Sequence, residues 1–380
     1  MRILLLGEFS RLHNTLKEGL EQLGHEVVLA NNGDGFKNYP ADFSFRATFF
    51  LSKWGNIIRQ FIYRLTGFDL VLWEHGFRYK ALLPKLGQFD CIQLINEKPI
   101  QTTPKKELKL LQKTALLSPK FFLLCSGADT YFVTYLLENT QRYSLFKPYW
   151  ENPVMFKKQY AYMFEYLETN HQAIHEFIKH NGKGIIATDM DYVLAVAQHK
   201  HYSGFIPNPI NVERIAFEPL TINEKIVVFL GINSGTRDFK GIHYFEEALT
   251  LLPPSVKEQI ELIVTTDIPY HAYRKHYERA HIILDQVLAF DQGYNALEAM
   301  AAGKVVFTGA ETEFCEHFGI AYNTVAINAL PNAQLIANEL ETLIQHPEQL
   351  VIIGKQARKF IEKHHHYVRV GEKYLAIWNA

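Results

Sequence analysis

The chain has 380 residues, enough for two domains of ordinary size, and 48% of them are hydrophobic against 21% charged, the profile of a protein with a large core. Thirty-nine Lys and Arg against forty Asp and Glu leave a formal charge of −1, which argues against wholesale binding to a nucleic-acid backbone. Three cysteines at no metal-ligand spacing argue against a disulfide framework and a zinc site, and no apolar run reaches the roughly 18 residues of a membrane span, so a cytoplasmic protein is expected.

Residues 3–6 read as a first buried strand closed by Gly7, residues 15–23 as a helix with Leu16, Leu20 and Leu23 on one face, and HEVVLA as the next strand. This opening carries no GxGxxG, so a dinucleotide is not indicated. The loop over residues 8–14 is expected to face a cleft, with Ser10, Arg11, His13 and Asn14 as its polar groups. FFLSKWGNIIRQFIYRL has helical spacing and a stripe of Trp54, Ile57, Ile58, Phe61 and Leu65. Packing of that stripe on the sheet is the favoured reading; a membrane-touching face is less favoured because its basic neighbours are few. FDLVLWEHG reads as a buried strand ending at Glu74, His75 and Gly76, and CIQLIN and FFLLCSG as further strands. Aromatic residues, among them 27 Phe and 20 Tyr, crowd ADFSFRATFF and AYMFEYLE, where core is a better reading than a sticky acceptor surface. Residues 156–180 read as one long helix, GIIATD as the last strand of the first sheet, and residues 187–198 as the helix after it. SGFIPNPINVERIAFEPL, stiffened by Pro207 and Pro209, reads as the domain crossover.

KIVVFLGINS opens a second, tidier α/β unit. A helix over 242–251, the strand ELIVTT, a helix over 270–278 and the strand HIIL follow. A small-residue helix then runs from Tyr294 or Asn295 to Gly303, before the strands KVVFT and TVAI and a helix over 333–344. The residues from Pro347 onward are mostly helical, with a break expected near Val370 and Gly371, and are expected to cross back onto the first domain. The domains expected are residues 1–210, an α/β unit, 211–355, a second α/β unit, and 356–380, a helical segment returning to the first. Two parallel-sheet domains of this kind place a cleft between their carboxyl edges.

Residues that could carry chemistry gather in the second unit. GINSGTRDFKG follows a strand and offers glycines, Gly231 first, for close backbone approach, with Arg237 and Lys240 three positions apart to neutralise a diphosphate; a solvated loop is the alternative. Gly293, Tyr294 and Asn295 place free N–H groups at a helix start, and Glu298 lies one turn inside, where a carboxylate could accept two ribose hydroxyls. Asp285 directly after the strand and Asp291 in the loop could reach a sugar or steady the loop. His13 and His75 are expected on cleft-facing loops of the first domain, where a histidine could assist an acceptor hydroxyl or simply pack. No nucleophile elbow, HExxH or metal cluster appears.

The two-domain pattern, the glycine-and-cation loop and above all YNALEAMAAGKVV resemble the GT-B glycosyltransferases, in particular the large retaining family often called family 4. HIILDQ followed by GYNALEAMAAGK is similar to a subgroup acting on bacterial surface polysaccharides. The resemblance implies two Rossmann-like α/β/α domains facing each other across a cleft, with a C-terminal helix crossing back. It implies that Arg237 and Lys240 hold the donor diphosphate and Glu298 the donor ribose. The family's first signature glutamate lies eight positions before the second, and here that position is Phe290, with Asp291 adjacent. The function implied is transfer of a hexosyl unit from a nucleoside diphosphate sugar to a glycan or lipid-linked glycan, with retention and with no cofactor or metal, in the cytoplasm or at the inner face of the membrane. The alternatives are a nucleotide-sugar epimerase of the same fold, for which His13, His75 and Asp291 fit only loosely, and an inactive nucleotide-sugar-binding protein.

Overall fold

Two parallel sheets carry the chain, and the first sheet's central strands are mostly apolar and buried on both faces, as helices on either side require. The computed structural model describes residues 1–222 and 224–380. In the first domain β1 (Arg2–Leu6), α1 (Leu12–Gln22) and β2 (Glu26–Asn31) lead to the short β3 (Phe43–Ser44) and then to two consecutive helices, α2 (Lys53–Thr66) and α3 (Leu70–Leu86). β4 (Cys91–Leu94), α4 (Pro104–Ala115), β5 (Phe121–Cys125) and α5 (Thr130–Leu137) follow. Next come α6 (Lys147–Glu151), α7 (Pro153–Phe164), α8 (Thr169–Asn181), β6 (Gly184–Ala187), α9 (Met190–Val196) and β7 (Tyr202–Phe205). The sheet order is β3-β2-β1-β4-β5-β6-β7.

The second domain runs β8 (Ile226–Ile232), α10 (Ile242–Leu251), α11 (Pro254–Lys257), β9 (Ile260–Thr266), α12 (Tyr270–Arg279), β10 (Ile282–Leu284) and α13 (Tyr294–Ala301). It continues with β11 (Val305–Thr308), α14 (Thr312–Phe318), β12 (Ile327–Asn328) and α15 (Ala333–Gln345). Its sheet order is β12-β11-β10-β8-β9. The helices α16 (Pro347–His364) and α17 (Tyr367–Asn379) close the chain. α16 packs on α13, whereas α17 lies on α1 of the first domain and buries Val370, Tyr374 and Trp378 beside Leu16 and Leu20. Trp378 Nε1 donates to Gln93 Oε1 in β4 at 3.1 Å, so the return is pinned at its far end. A Cβ on Gly19 would lie 2.3 Å from the Tyr367 carbonyl oxygen, and that glycine is what lets α17 approach α1.

Several expectations need correction. FDLVLWEHG is not a strand: Asp69 accepts from Val71 N at 3.0 Å and starts α3, whose apolar residues continue at helical spacing to the buried Tyr79 and Leu86. The sheet edge beside β2 belongs instead to β3. β6 is followed by β7, so GIIATD is not the last strand. The helix expected over 156–180 is two helices, parted where Glu168 takes an extended backbone. The terminal break falls at His365 and His366 rather than at Val370 and Gly371, because His365 is buried with its Nδ1 donating to the Asn208 carbonyl at 2.9 Å. A boundary between residues 355 and 356 would cut α16. The apolar stripe of α2 does not pack on the sheet; Trp54, Phe61 and Leu65 are all more than half exposed.

Candidate functional site

The chain leaves β6 and β10 at corresponding edges, and the loops that follow meet. Phe290 N donates to Asp191 Oδ2 at 3.0 Å, and Met190 N donates to Asp291 Oδ2 at 3.1 Å. The carboxyl edges of the two sheets therefore face each other. Arg142 of the first domain pairs with Glu311 at 3.0 Å and Glu313 at 2.8 Å, and its guanidinium lies 4.9 Å from the centre of the Phe290 ring. Tyr143 packs against the same ring, the two tilted by 32° with centres 5.2 Å apart, and donates its hydroxyl hydrogen to Glu311. Farther along, Phe239 from the loop after β8 packs 4.5 Å from Tyr160 in α7. Phe290 and Asp291 thus belong to a sealed contact between domains. Burial pushes the carboxyls of Asp191 and Asp291 up to about 7.

Beside this contact the cleft stays open. A cavity of about 640 Å³, a size suited to a small molecule, is lined by Arg11, Arg214, Tyr270, Arg274, Tyr294 and Glu298. Glu298 is half-buried, and its carboxyl is raised above its ordinary range by burial, offset in part by Arg274, Arg11 and Lys37. Arg274 Nη1 lies 3.9 Å from Glu298 while its other nitrogen pairs with Glu278 at 3.1 Å. From the first domain, Ser10 and Arg11 present themselves with φ of 51° and 73°, in the left-handed region that is sparsely used by non-glycine residues. Ser10 N is held by Asp34 Oδ2 at 2.9 Å, and Lys37 pairs with the same carboxylate at 2.7 Å.

At the amino end of α13 a polar network converges on Asp285, which is buried. Lys240 Nζ donates to its Oδ1 at 2.8 Å, and Asn295 Nδ2 to the same oxygen at 2.9 Å. Tyr273 donates to Asn295 Oδ1 at 2.8 Å, which fixes the amide's orientation. Asp285 Oδ2 accepts no hydrogen bond among the described residues. Gly293 caps α13 without a side-chain cap, so the first-turn N–H groups of Tyr294 and Asn295 are left open, and nothing but Gln286 Oε1 at 3.9 Å would meet a Cβ there. Asn295 and Glu298, three residues apart, share a side of the helix. The structure therefore brings Lys240, Asp285, Gly293, Tyr294, Asn295 and Glu298 to one helix start.

The other expected residues stand apart from that start. Arg237 donates two hydrogen bonds to Glu246, one of them at 2.7 Å, and this pairing on its own side of the loop holds it. Gly231 lies inside β8, where a Cβ would sit 2.4 Å from the Tyr273 ring, so it makes room for Tyr273. His13 is on α1 rather than in a loop and is fully buried; its Nδ1 lies 2.8 Å from the Gly7 carbonyl, and burial lowers its pKa to about 3. His75 is buried in α3 with Nδ1 3.2 Å from the Gln101 carbonyl, and burial likewise lowers its pKa. Neither ring opens on the cleft as folded. Sequence reading passed over Arg274 and Tyr270, because nothing in YHAYRKHYER shows that this helix lies against Glu298.

The fold recurs in solved structures at low identity. Sucrose-phosphate synthase from Thermosynechococcus elongatus matches with a TM-score of 0.60 and 14% identity, over 100% of this chain and 98% of that one. HepE from Anabaena, in complex with UDP and glucose, matches with a TM-score of 0.58 and 12% identity, over 100% and 99%. A glycosyltransferase from Rickettsia africae matches with a TM-score of 0.54 and 14% identity, over 99% and 97%. No curated protein matches in sequence. Residues 257–376 match the family model described as "Glycosyl transferase-like". With two facing parallel sheets and a returning C-terminal helix, the chain has the GT-B fold, and its second domain resembles the glycosyl transferase-like family.

Proposed function

We propose that the protein transfers a hexosyl unit from a nucleoside diphosphate sugar to a hydroxyl of a glycan or lipid-linked glycan, with retention at the anomeric carbon, in bacterial surface-polysaccharide synthesis. The observation that carries this reading is the convergence of Lys240, Asp285 and Asn295 at the open start of α13, one turn from Glu298 at a cavity of small-molecule size. HepE, which shares the fold, has been solved with UDP-glucose, and that supports a uridine diphosphate sugar as the first donor to try.

In this reading Glu298 accepts the ribose hydroxyls, and the diphosphate lies against the first-turn N–H groups of α13 and Lys240. Arg237 joins them by exchanging Glu246 for a phosphate oxygen. The acceptor oxygen bonds to the anomeric carbon as the bond from that carbon to the diphosphate oxygen breaks. The electron pair leaves with the diphosphate, which takes up the acceptor's proton. His13 and His75 have no part in these steps, since both are buried on backbone carbonyls.

One observation favours a second reading, a nucleotide-sugar-binding protein without turnover: Phe290 is 3% exposed within the contact between domains, and Arg237 is already paired. Incubation with UDP-glucose and a lipid-linked glycan extract separates the two. A transferase releases UDP only when acceptor is present. Donor binding with no release under any acceptor supports the second reading, turnover of donor alone to an isomeric sugar supports an epimerase, and absence of binding by any common nucleotide sugar defeats the donor site.

A further inference from the structure

α2 is fastened to the first domain by its ends and not by a face. Gly55 is its one buried residue among those described, and a Cβ there would lie 1.9 Å from the Phe49 carbonyl oxygen. Ser52 caps the helix by accepting from Gly55 N at 3.2 Å, and Arg59 makes two hydrogen bonds of 2.7 Å to Asp69, the cap of α3. The apolar stripe faces outward, with Trp54 76% exposed, Phe61 62% and Leu65 67%, and Ile57 and Ile58 between them. Phe49, Trp73 and Phe77 extend it onto α3, where Trp73 and Phe77 stack 5.5 Å apart beside an apolar groove floored by Phe50 and Leu82. Monomeric proteins rarely leave so large a continuous apolar surface bare.

The charge around this surface is one-sided. Between Phe45 and Lys120 there are thirteen Lys or Arg against five Asp or Glu, whereas the whole chain is balanced at 39 against 40. Of those five acids, Glu74, Glu97 and Glu107 are buried and Asp69 is taken by Arg59. Lys53, Arg64, Lys80, Lys85, Lys105 and Lys109 are exposed. At 100° per residue, Lys53 and Arg64 border the apolar stripe along its Ile57 side. The few basic residues of α2 are thus joined by Lys80 of α3 and by Lys106 of α4, whose Nζ lies 5.4 Å from the centre of the Trp73 ring.

We propose that this surface docks on a lipid bilayer carrying anionic headgroups, with α2 lying in the plane of the headgroups. Its apolar side chains enter the acyl boundary while Lys53, Arg64 and Lys80 meet lipid phosphates. A second copy of this chain fits less well, because two such faces would oppose like charges with almost no exposed acid to pair them. Spanning is excluded for α2: among the described residues no helix is long and apolar enough to cross a membrane.

Flotation of the full chain with vesicles tests the proposal. Binding is expected to vesicles of phosphatidylglycerol and phosphatidylcholine in equal parts, to weaken with salt, and to be slight with phosphatidylcholine alone. The triple variant Trp54→Ser, Phe61→Ser, Leu65→Ser should lose roughly a hundredfold in partition coefficient with an unchanged melting temperature, since these side chains are exposed. Lys53→Glu with Arg64→Glu should lose binding to the anionic vesicles only. No binding to either vesicle, or equal flotation of wild type and triple variant, overturns the proposal. So does a wild-type dimer that the triple variant converts to monomer without any vesicle binding, which would make a second copy the occupant.

Discussion

Replacing Glu298 by Ala tests the donor reading most directly. The substitution is clean: Arg274, its nearest cation at 3.9 Å, keeps Glu278 at 3.1 Å, so no charge is stranded. Two hydrogen bonds from ribose hydroxyls to a carboxylate contribute about 1.5–3 kcal/mol each when buried. Glu298 is only half-buried, so solvent screening brings the expected total to about 2–3 kcal/mol. That corresponds to a loss of roughly 30- to 150-fold in affinity at 25 °C. Calorimetric titration with UDP measures it, and 2′-deoxy-UDP supplies the second side of a double-mutant cycle. The missing hydroxyl should weaken binding to the wild type and leave binding to the variant unchanged. A Kd within twofold of wild type, or the same deoxy penalty in both proteins, would refute the role given to this residue.

Releasing Arg237 from its partner should help the diphosphate: Glu246→Ala is expected to tighten UDP binding about fivefold, while Arg237→Ala weakens UDP about tenfold and leaves uridine unaffected, both read by titration. Phe239→Ser removes the 4.5 Å contact with Tyr160 and should loosen the domains, seen as an increase in radius of gyration by solution scattering and about 1 kcal/mol of lost stability. The contact between domains should also depend on pH. The folded-state values of Asp191 and Asp291, about 7, lie above the ordinary carboxylate range because both are buried, and for Asp191 the charges of Asp291 and Glu313 add to the effect. Their contribution is therefore complete below about pH 4 and is lost as pH rises through 7. The melting temperature should fall between about pH 4 and pH 7 and level off above it, and Asp191→Asn should flatten that fall.

The second domain was largely legible from its sequence because each of its elements is short, periodic and punctuated by glycine or proline; α10 and α13 begin and end where the pattern places them. The first domain was less so. FDLVLWEHG is apolar enough for a strand, and only the cap at Asp69 and the continuation to Leu86 make it a helix, two features that local hydrophobicity does not register. The stripe of α2 was misjudged for a related reason: a stripe tells which side is apolar and not what lies opposite. At the site, Glu298 and the start of α13 could be found because their spacing along one helix is local. The pairing of Arg237 with Glu246, and the place of Phe290 between Arg142 and Tyr143, join residues far apart in sequence or on different elements, and no pattern within a loop encodes them.

Phe290 also shows how the two halves of the molecule are coupled. The loop after β8 carries Arg237 and Lys240, and between them Phe239 reaches α7 of the first domain. That loop is tied to the next by Val287 N, which donates to the Lys240 carbonyl at 2.8 Å, and the next loop carries Phe290 and Asp291 into the contact with Met190 and Asp191. Separating the domains would therefore pull on both loops at once, and on Lys240 through the shared hydrogen bond. In the proposed reaction the groups that meet the diphosphate reach their places only when the domains are closed, which is also when water is kept from the anomeric carbon. A site that relies on charge placement instead of a protein nucleophile needs such a coupling, because its groups help only from the right distance. On this view an aromatic ring at position 290 serves the closed state, where it is 3% exposed beneath the Arg142 guanidinium and an acid would have to be buried.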